Sequence, residues 1–552
     1  MVENAPEVIV PFTEPIIFDL TEEIIIVKVL ISDNLAPEAA EILRATGKID
    51  VDSRPGISAD ELISVIPNYD ALIIRSATKV TVEVINAGVN LKVVGRAGIG
   101  LDNVDIPAAT ARGIAVMNTP DGNTVTTAEH AISMLLALSR NIPQATASMK
   151  NRKWEKKKFQ GKEVYAKTLG IVGLGKIGSI VADRALGLKM KVLAHDPFLK
   201  EEAARKLGVE LVTFDELLKR SDYVTIHVPR TPHTVGLINE AAIEKMKEGA
   251  MIVNCARGGM IDEKALFKGL ESGKLRGAAL DVFETEPPGD NPLLDLDSVI
   301  CTPHLGASTE EAQRNVAIDV ARQVADYLLS GAAKNAVNMP SIDGEAISKL
   351  GPYLKLCEKL GRFLGQLVKG GLGSVEISYR GDVSRYDCSP LTIATLVGLL
   401  SPQLKDMINF VNAPHIAKER DIAVSETKSE SAENFLDLIS IQVKTDEGEW
   451  FIAGTLFGKK EPRIVRIGQF HLEAAPEGHL AFIKSVDAPG VIGEIGLFLG
   501  KNDININRMN VGQDLVNKLN LVLINTDVAV PGPVMDGLQN LSNVITAVRF
   551  EM

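Results

Sequence analysis

Thr168-Leu-Gly-Ile-Val-Gly173-Leu-Gly175-Lys-Ile-Gly178 is followed by a helical run and then by Lys191-Val-Leu-Ala-His-Asp196. The stretch reads as an apolar strand, a G-x-G-x-x-G turn, a helix, and an acid closing the next strand. Each part has a physical role in holding a dinucleotide. Gly173 permits the tight turn, Gly175 lets the backbone approach a pyrophosphate, and Gly178 lets helix and strand pack closely. The helix start offers unpaired N–H groups and the positive end of a dipole to the phosphates. Asp196 stands where a carboxylate accepts from both ribose hydroxyls and repels a 2′-phosphate. No arginine follows it directly, so NAD is favoured over NADP. Glycines in that spacing also serve ordinary strand-to-helix turns. The strand before, the helix after and the acid beyond set this stretch apart.

Working outward, further strands are expected at 192–195, 223–227, 251–254, 278–282 and 299–301, after a first at 169–173. Six strands separated mostly by helices match a doubly wound α/β sheet. Three polar segments fall at the ends of the later strands: Asn254-Cys-Ala-Arg257-Gly-Gly, Asp281-Val-Phe-Glu-Thr-Glu286-Pro-Pro, and Thr302-Pro-His304-Leu-Gly-Ala-Ser308. In such sheets the carboxyl ends of strands line the ligand crevice, so the three converge beside a dinucleotide. Oxidising an alcohol next to a carboxylate needs a cation to hold the carboxylate and a base to take the hydroxyl proton. It also needs an acid that orients the base and stabilises its charged form. Arg257, His304 and Glu286 supply these roles. Singly, a loop histidine or a glutamate before Pro-Pro is an ordinary surface residue. Their coincidence at successive strand ends is not.

Upstream, a β/α alternation starts at Val27: a strand at 27–32, a helix at 36–46, and strands at 49–51, 71–75 and 93–96. Arg75-Ser-Ala-Thr-Lys79 and Arg96-Ala-Gly98-Ile-Gly100 close the last two, a placement that suits an anionic small molecule. Two surface cations beside ordinary turns would look the same. Thr126-Thr-Ala-Glu129 reads as a capping box opening a helix over 130–140, with His130 as a packed residue of that helix. The basic stretch 150–158, with Trp154, reads as a solvated connection.

At 552 residues the chain exceeds one core and suggests roughly three to four domains. Its net charge of -12 argues against nucleic acid as a partner. Cys255, Cys301, Cys357 and Cys388 show no C-x-x-C spacing, which fits a reducing compartment, here the cytoplasm, and no structural metal site. No apolar run reaches the length of a membrane span. Residues 1–26 hold acids and apolar residues but no Lys or Arg, unlike a secretory signal or a transit peptide, and read as an N-terminal extension.

Beyond Asn338-Met-Pro340 a helix at 350–367 and a strand at 374–379 are expected, then a polar connection over 413–431 and strands at 439–444, 450–457 and 464–467. This region reads as α+β without a catalytic constellation, and Arg463 and Arg466 as exposed strand charges. From 479 the order is strand 479–487, helix to 500, strands 506–511 and 519–527, helix 531–541 and strand 545–550. That β-α-β-β-α-β order is ferredoxin-like.

These motifs resemble the D-2-hydroxyacid dehydrogenase family, and within it the long phosphoglycerate dehydrogenase branch. The match runs over residues 27–552 and rests on Arg75-Ser-Ala-Thr-Lys-Val, Gly95-Arg-Ala-Gly-Ile-Gly-Leu-Asp-Asn-Val-Asp105 and the Arg257, Glu286 and His304 segments. The resemblance implies two doubly wound α/β lobes, a substrate domain at 27–125 and 308–338 and an NAD domain at 126–307. An intervening α+β domain at 339–477 and an ACT domain, a common amino-acid sensor, at 478–552 would follow. It implies NAD-dependent oxidation of 3-phospho-D-glycerate to 3-phosphohydroxypyruvate, the first step of L-serine biosynthesis. Arg75, Ser76, Arg96, Gly98 and, from a neighbouring subunit, Lys156 would hold substrate. Lys176, Ile177, Val228, Cys255, Ala256 and Asp281 would join the glycines and Asp196 around NAD. Asp487 and Asn505 match positions that grip an effector, L-serine, between paired ACT domains of a homodimer or homotetramer. Two other readings share the fold: a dehydrogenase of another 2-hydroxy acid such as glycerate or D-lactate, and an NAD(H)-sensing co-regulator. The paired arginines and the ACT tail count against the first, and the two extra C-terminal domains against the second.

Overall fold

The computed structural model describes residues 26–341, 344–432 and 434–552, so the expected extension lies, but for Ile26, outside the described residues. The first sheet has five parallel strands, Val27–Ile31, Ile49–Ser53, Ala71–Ile74, Val93–Arg96 and Ala115–Asn118, in the order second, first, third, fourth, fifth. Short apolar strands buried on both faces are what a parallel sheet between helices requires. Ala115–Asn118 is an addition to the sequence reading: four residues with no alternation leave little signal. The 21-residue helix Glu310–Ser330 returns from the second domain and lays Val316, Val320 and Val324 on this sheet. It is opened by Thr309, whose hydroxyl accepts from the Ala312 amide, and closed by Gly331 at φ 75°.

The second sheet has seven parallel strands. Thr168–Val172 lies between Lys191–His195, with Glu210–Leu211 beyond it, and Tyr223–Ile226. Ala250–Asn254, Leu275–Leu280 and Val299–Cys301 continue outward on the latter side. The order reverses at Thr168–Val172, and that switch point opens the ligand crevice. Glu210–Leu211 is the strand beyond the expected six, a two-residue edge too short to carry a pattern.

The helix joining the two domains is Thr124–Arg140, six residues longer at its start than expected, and the capping box is not made. The Asn123 carbonyl already accepts from the Thr127 amide and hydroxyl. Thr126 instead meets the Thr309 hydroxyl at 3.4 Å, and Glu129 lies 4.0 Å from the Arg184 guanidinium.

The C-terminal half holds a six-stranded sheet and a four-stranded antiparallel sheet. Residues 413–431, expected as a polar connection, instead form the helix Ala413–Glu419 and the strand Ala423–Ser429, which pairs in parallel with Leu372–Gly381. The strand is exposed along its length, so it lacks the apolar alternation that marks a strand in sequence. Ser389–Leu404 is a further unexpected helix, buried on nearly every face and therefore without a periodic stripe. Arg463 and Arg466 are partnered: Arg463 pairs with Glu461 at 2.6 Å, and Arg466 donates to the Gly468 carbonyl and covers the Phe451 ring.

The last sheet has the β-α-β-β-α-β connectivity expected, with His479–Val486 between Leu519–Thr526 and Val544–Glu551. Its helices, Val491–Lys501 and Gly532–Gln539, cover one face. The other face shares a single core with the preceding sheet and the helix Gly344–Leu367. Phe363 of that helix stands 4.5 Å from Phe550 and 6.3 Å from Phe482, ring centre to ring centre. A Phe363→Ala variant should lose about 3–5 kcal/mol, as for other buried aromatics. The loss should fall on both C-terminal sheets together in hydrogen exchange. Undiminished protection in Leu519–Thr526 would contradict a shared core.

Candidate active site

Between the first two domains lies a cleft of about 810 Å³ bounded by the carboxyl ends of both parallel sheets. Lys176 and Ile177, between the second and third glycines of the turn, line one wall. Gly173 has φ 90°, and a Cβ on Gly178 would stand 2.1 Å from the Gly173 carbonyl oxygen, so the helix Lys176–Gly187 sits as near the turn as glycine permits. A Cβ on Gly175 would meet nothing within 4 Å, which leaves its backbone open toward the helix N-terminus. That open cradle fits a pyrophosphate. Asp196 follows the strand Lys191–His195 and accepts from the Leu174 amide at 2.9 Å and from the Phe198 amide at 2.9 Å, so its carboxylate is fixed beside the turn. Lys176, Ile177, Val228, Cys255 and Ala256 line the cleft. The Lys176 ammonium pairs with Asp121, in the crossing between the two domains.

His304 follows Val299–Cys301 and Glu286 follows Leu275–Leu280, and they meet: His304 Nδ1 and Glu286 Oε2 are 2.8 Å apart. The carboxylate accepts at Nδ1 and leaves Nε2 as the free nitrogen. The other Glu286 oxygen accepts from the Phe283 amide at 3.2 Å. His304 itself holds a left-handed backbone, φ 55°, an unfavoured state for a residue with a Cβ that its surroundings must impose. They do so through Asp281. This carboxylate is 1% exposed and accepts from the Leu305 amide at 2.7 Å, the Gly306 amide at 2.8 Å and the Thr302 hydroxyl at 2.5 Å. The His130 ring nitrogen lies 3.2 Å from it. Burial would raise this carboxyl, but the bonds from His130, Thr302 and the two amides outweigh it and hold the group below its usual range. Asp281 thus stands behind the cleft wall, under the histidine loop, and His130 is packed against it as a helix residue.

On the opposite wall Arg75 and Ser76 follow Ala71–Ile74, and Arg96 ends Val93–Arg96. Asp33, unmarked in the sequence reading, accepts from the Arg75 amide at 2.5 Å and the Thr78 amide at 3.1 Å. Asn103 accepts from Arg96 Nε at 3.0 Å and donates to the Arg75 carbonyl at 2.8 Å, tying the two arginine loops together. Burial, and next the charge of Arg257, pull the Arg96 guanidinium down to about 10, although Asp102 opposes the shift. Arg257 reaches across the cleft to Asp102 at 3.1 Å and donates to the Ala256 carbonyl at 2.7 Å. Gly98 lies in the cleft wall, whereas Lys156 is exposed on the 151–158 connection and does not line the cleft. Asp33, Asp102, Asn103 and Asp121 are the polar residues the sequence reading passed over. Asp102 and Asn103 lie inside the 95–105 motif, where the sequence reading assigns them no role, and Asp33 and Asp121 are single acids a few residues past a strand end.

The two expected effector residues are not together in one chain. Asp487 follows Val486, which pairs with Leu519, whereas Asn505 precedes Ile506, which pairs with Thr526. The Asp487 amide donates to the Lys518 carbonyl and the Asn505 carbonyl accepts from the Asp527 amide, nine positions along the Leu519–Thr526 strand, so the two residues are separated by about 31 Å at ~3.4 Å per residue. Asp487 accepts from Asn520 at 2.9 Å, and the buried Ser485 hydroxyl and Asn520 carbonyl oxygens beside it have no hydrogen-bond partner among the described residues.

Comparison with known proteins gives the geometry its context. The family model for the NAD binding domain of D-isomer specific 2-hydroxyacid dehydrogenases matches residues 132–306, and that for the D-3-phosphoglycerate dehydrogenase intervening domain matches residues 349–468. A D-3-phosphoglycerate dehydrogenase of Synechocystis is 45% identical over 95% of this chain and 93% of its own. The Archaeoglobus fulgidus protein of the same name is 44% identical over 95% of this chain and 100% of its own. Among solved structures, a glyoxylate reductase from Paecilomyes thermophila is 30% identical with a TM-score of 0.53, covering 56% of this chain and 98% of its own. An Aquifex aeolicus D-lactate dehydrogenase complexed with NAD and lactic acid is 27% identical with a TM-score of 0.51, covering 57% of this chain and 100% of its own. Two matching domain models and relatives of this identity along nearly the whole length leave one conclusion: the chain belongs to the D-3-phosphoglycerate dehydrogenase family.

Proposed function

We infer that this chain oxidises 3-phospho-D-glycerate to 3-phosphohydroxypyruvate with NAD, the first step of L-serine biosynthesis. One observation carries the reading: a histidine–carboxylate pair shares one cleft with the guanidiniums of Arg75, Arg96 and Arg257, and Lys176 and Ile177 of the glycine turn line the same cleft. One cation serves the carboxylate of a 2-hydroxy acid. Arg75 and Arg96 exceed that need and suit a second acidic group, the phosphate.

In this reading Gly173, Gly175, Lys176, Ile177, Gly178, Asp196, Val228, Cys255 and Ala256 hold NAD, whose nicotinamide supplies the hydride acceptor. Arg257 clamps the substrate carboxylate beside the reacting carbon. Arg75, Ser76, Arg96 and the Gly98 backbone hold the remaining anionic part, and Lys156 serves a neighbouring subunit. His304 Nε2 takes the hydroxyl proton while the C2 hydrogen leaves with its electron pair, and C2–O becomes a carbonyl. Glu286 keeps Nε2 free as acceptor and stabilises the imidazolium. Asp281 acts from behind, by setting the backbone from which His304 projects. The enzyme works in the cytoplasm.

The C-terminal domain senses L-serine. Within one chain Asp487 and Asn505 stand at opposite ends of the sheet, so a site using both takes two copies and a homodimer or homotetramer. The unpartnered oxygens of Ser485 and Asn520 beside Asp487 favour a polar ligand there. The test is NADH formation from 3-phosphoglycerate with and without L-serine. Activity that falls with serine is the expected result. Activity indifferent to serine would remove the sensor, and no activity would remove the enzyme assignment.

A further inference from the structure

We propose that Asp102 is a resident counter-ion which the substrate carboxylate must displace from Arg257, and which thereby sets how tightly the cleft holds anions. The inference rests on the carboxylate-clamping role of Arg257 given above. Arg75, Arg96, Arg230 and Arg257 all line the cleft, and the charges of Arg257 and Arg75 are felt at Arg96. Among the described residues lining the cleft the acids are Asp102 and Glu286. Glu286 is committed to His304, so of these two Asp102 is the one left to face the arginines, while Asp33, outside the lining, also acts on Arg96 through its charge.

Its placement matches that of a carboxylate ligand. A carboxylate is held best by two parallel N–H groups of one guanidinium edge. Arg257 Nη1 is taken by the Ala256 carbonyl, and the edge left to a ligand is Nε with Nη2. Asp102 Oδ2 occupies Nε at 3.1 Å. Nη2 lies so close over Gly100 that a Cβ there would stand 2.0 Å from it and 2.9 Å from Asp102 Oδ2. Gly100 therefore makes room for this contact, and any larger residue would push the guanidinium away. Asp102 is 61% exposed on its side chain, so the pair is hydrated and weak enough to yield to a better-placed anion.

The test uses the full chain and two variants, Asp102→Asn and Asp102→Ala. The enzyme–NADH complex, which cannot oxidise substrate, is titrated with 3-phosphoglycerate and separately with oxalate, following NADH fluorescence. Both variants should bind both anions about three- to fivefold more tightly than the parent, the worth of one exposed ion pair. The gain should shrink as added salt screens the parent's pair. In turnover KM should fall and kcat should not rise, because product is held more tightly as well. Unchanged or weaker binding of both anions in both variants overturns the proposal, and weaker binding would mark Asp102 as a support that orients Arg257. If the substrate assignment itself were wrong, the parent chain would fail to bind 3-phosphoglycerate while oxalate still bound more tightly to the variants.

Discussion

Replacing His304 by alanine should lower kcat about 10³-fold, within the range that a positioned general base contributes, while leaving NAD binding intact. His304 is the histidine in the cleft whose second nitrogen is fixed by a carboxylate, at 2.8 Å from Glu286. Its removal deletes the proton acceptor but touches neither the glycine turn nor Asp196, whose carboxylate is held by the Leu174 and Phe198 amides. The loop should keep its shape, because the bonds that fix it run from Asp281 to the Leu305 and Gly306 amides and not to the imidazole. Relief of the φ 55° backbone is minor, since alanine also carries a Cβ. The check is steady-state kinetics together with NADH titration of the variant. A variant with normal turnover would remove His304 from the chemistry. A variant that failed to bind NADH would mean that it supports the cleft rather than the proton transfer.

The second large effect is expected at Arg257. An Arg257→Gln variant keeps the reach and polarity of the side chain and loses its charge and fork. Truncating one partner of a charge pair costs about 2–5 kcal/mol, roughly 30-fold to several thousandfold in kcat/KM. Arg257→Lys should recover only part of this, because a lysine offers a point charge where the carboxylate needs two parallel donors. Arg257 lies on the turn after Ala250–Asn254, in the same wall as Cys255 and Ala256, so substrate and cofactor are held by one short segment. If kcat/KM of the glutamine variant changed less than tenfold, the carboxylate would have to be held elsewhere, by another of the cations lining the cleft, Arg75, Arg96, Lys176 or Arg230.

Sequence alone reached far into the catalytic half and less far beyond it, for physical reasons. The glycine turn was legible because its roles are backbone roles, and the tight turn and the helix-to-strand approach are met in the fold: Gly173 takes φ 90° and Gly178 touches the Gly173 carbonyl. Arg257, Glu286 and His304 were legible because each follows a strong apolar strand, and the carboxyl ends of parallel strands must face one crevice. What escaped were contacts between segments far apart in the chain. Asp102 meets Arg257 across 155 positions, and Asp33 meets the Arg75 loop across 42, and no local pattern announces such pairs. Thr126 and Glu129 have the spacing of a capping box, yet tertiary partners, Thr309 and Arg184, claim both side chains. The helix Ser389–Leu404 was hidden by being buried nearly all round, and the strand Ala423–Ser429 by being exposed throughout. The common core of the two C-terminal sheets rests on Phe363, Phe482 and Phe550, spread over nearly two hundred positions, and pattern reading assigns Phe363 to a different domain from the other two.

The central claim is that Arg75, Arg96 and Arg257, in one cleft with a histidine–glutamate pair, select a phosphorylated 2-hydroxy acid for oxidation by NAD. It is tested most directly by measuring kcat/KM for NAD reduction with 3-phospho-D-glycerate and with D-glycerate, side by side on the same preparation. Loss of one buried charge-assisted anion contact is worth about 2–5 kcal/mol, so the phosphorylated substrate should be preferred by roughly 30-fold or more. Equal values for the two acids, or a preference for D-glycerate, would contradict the account.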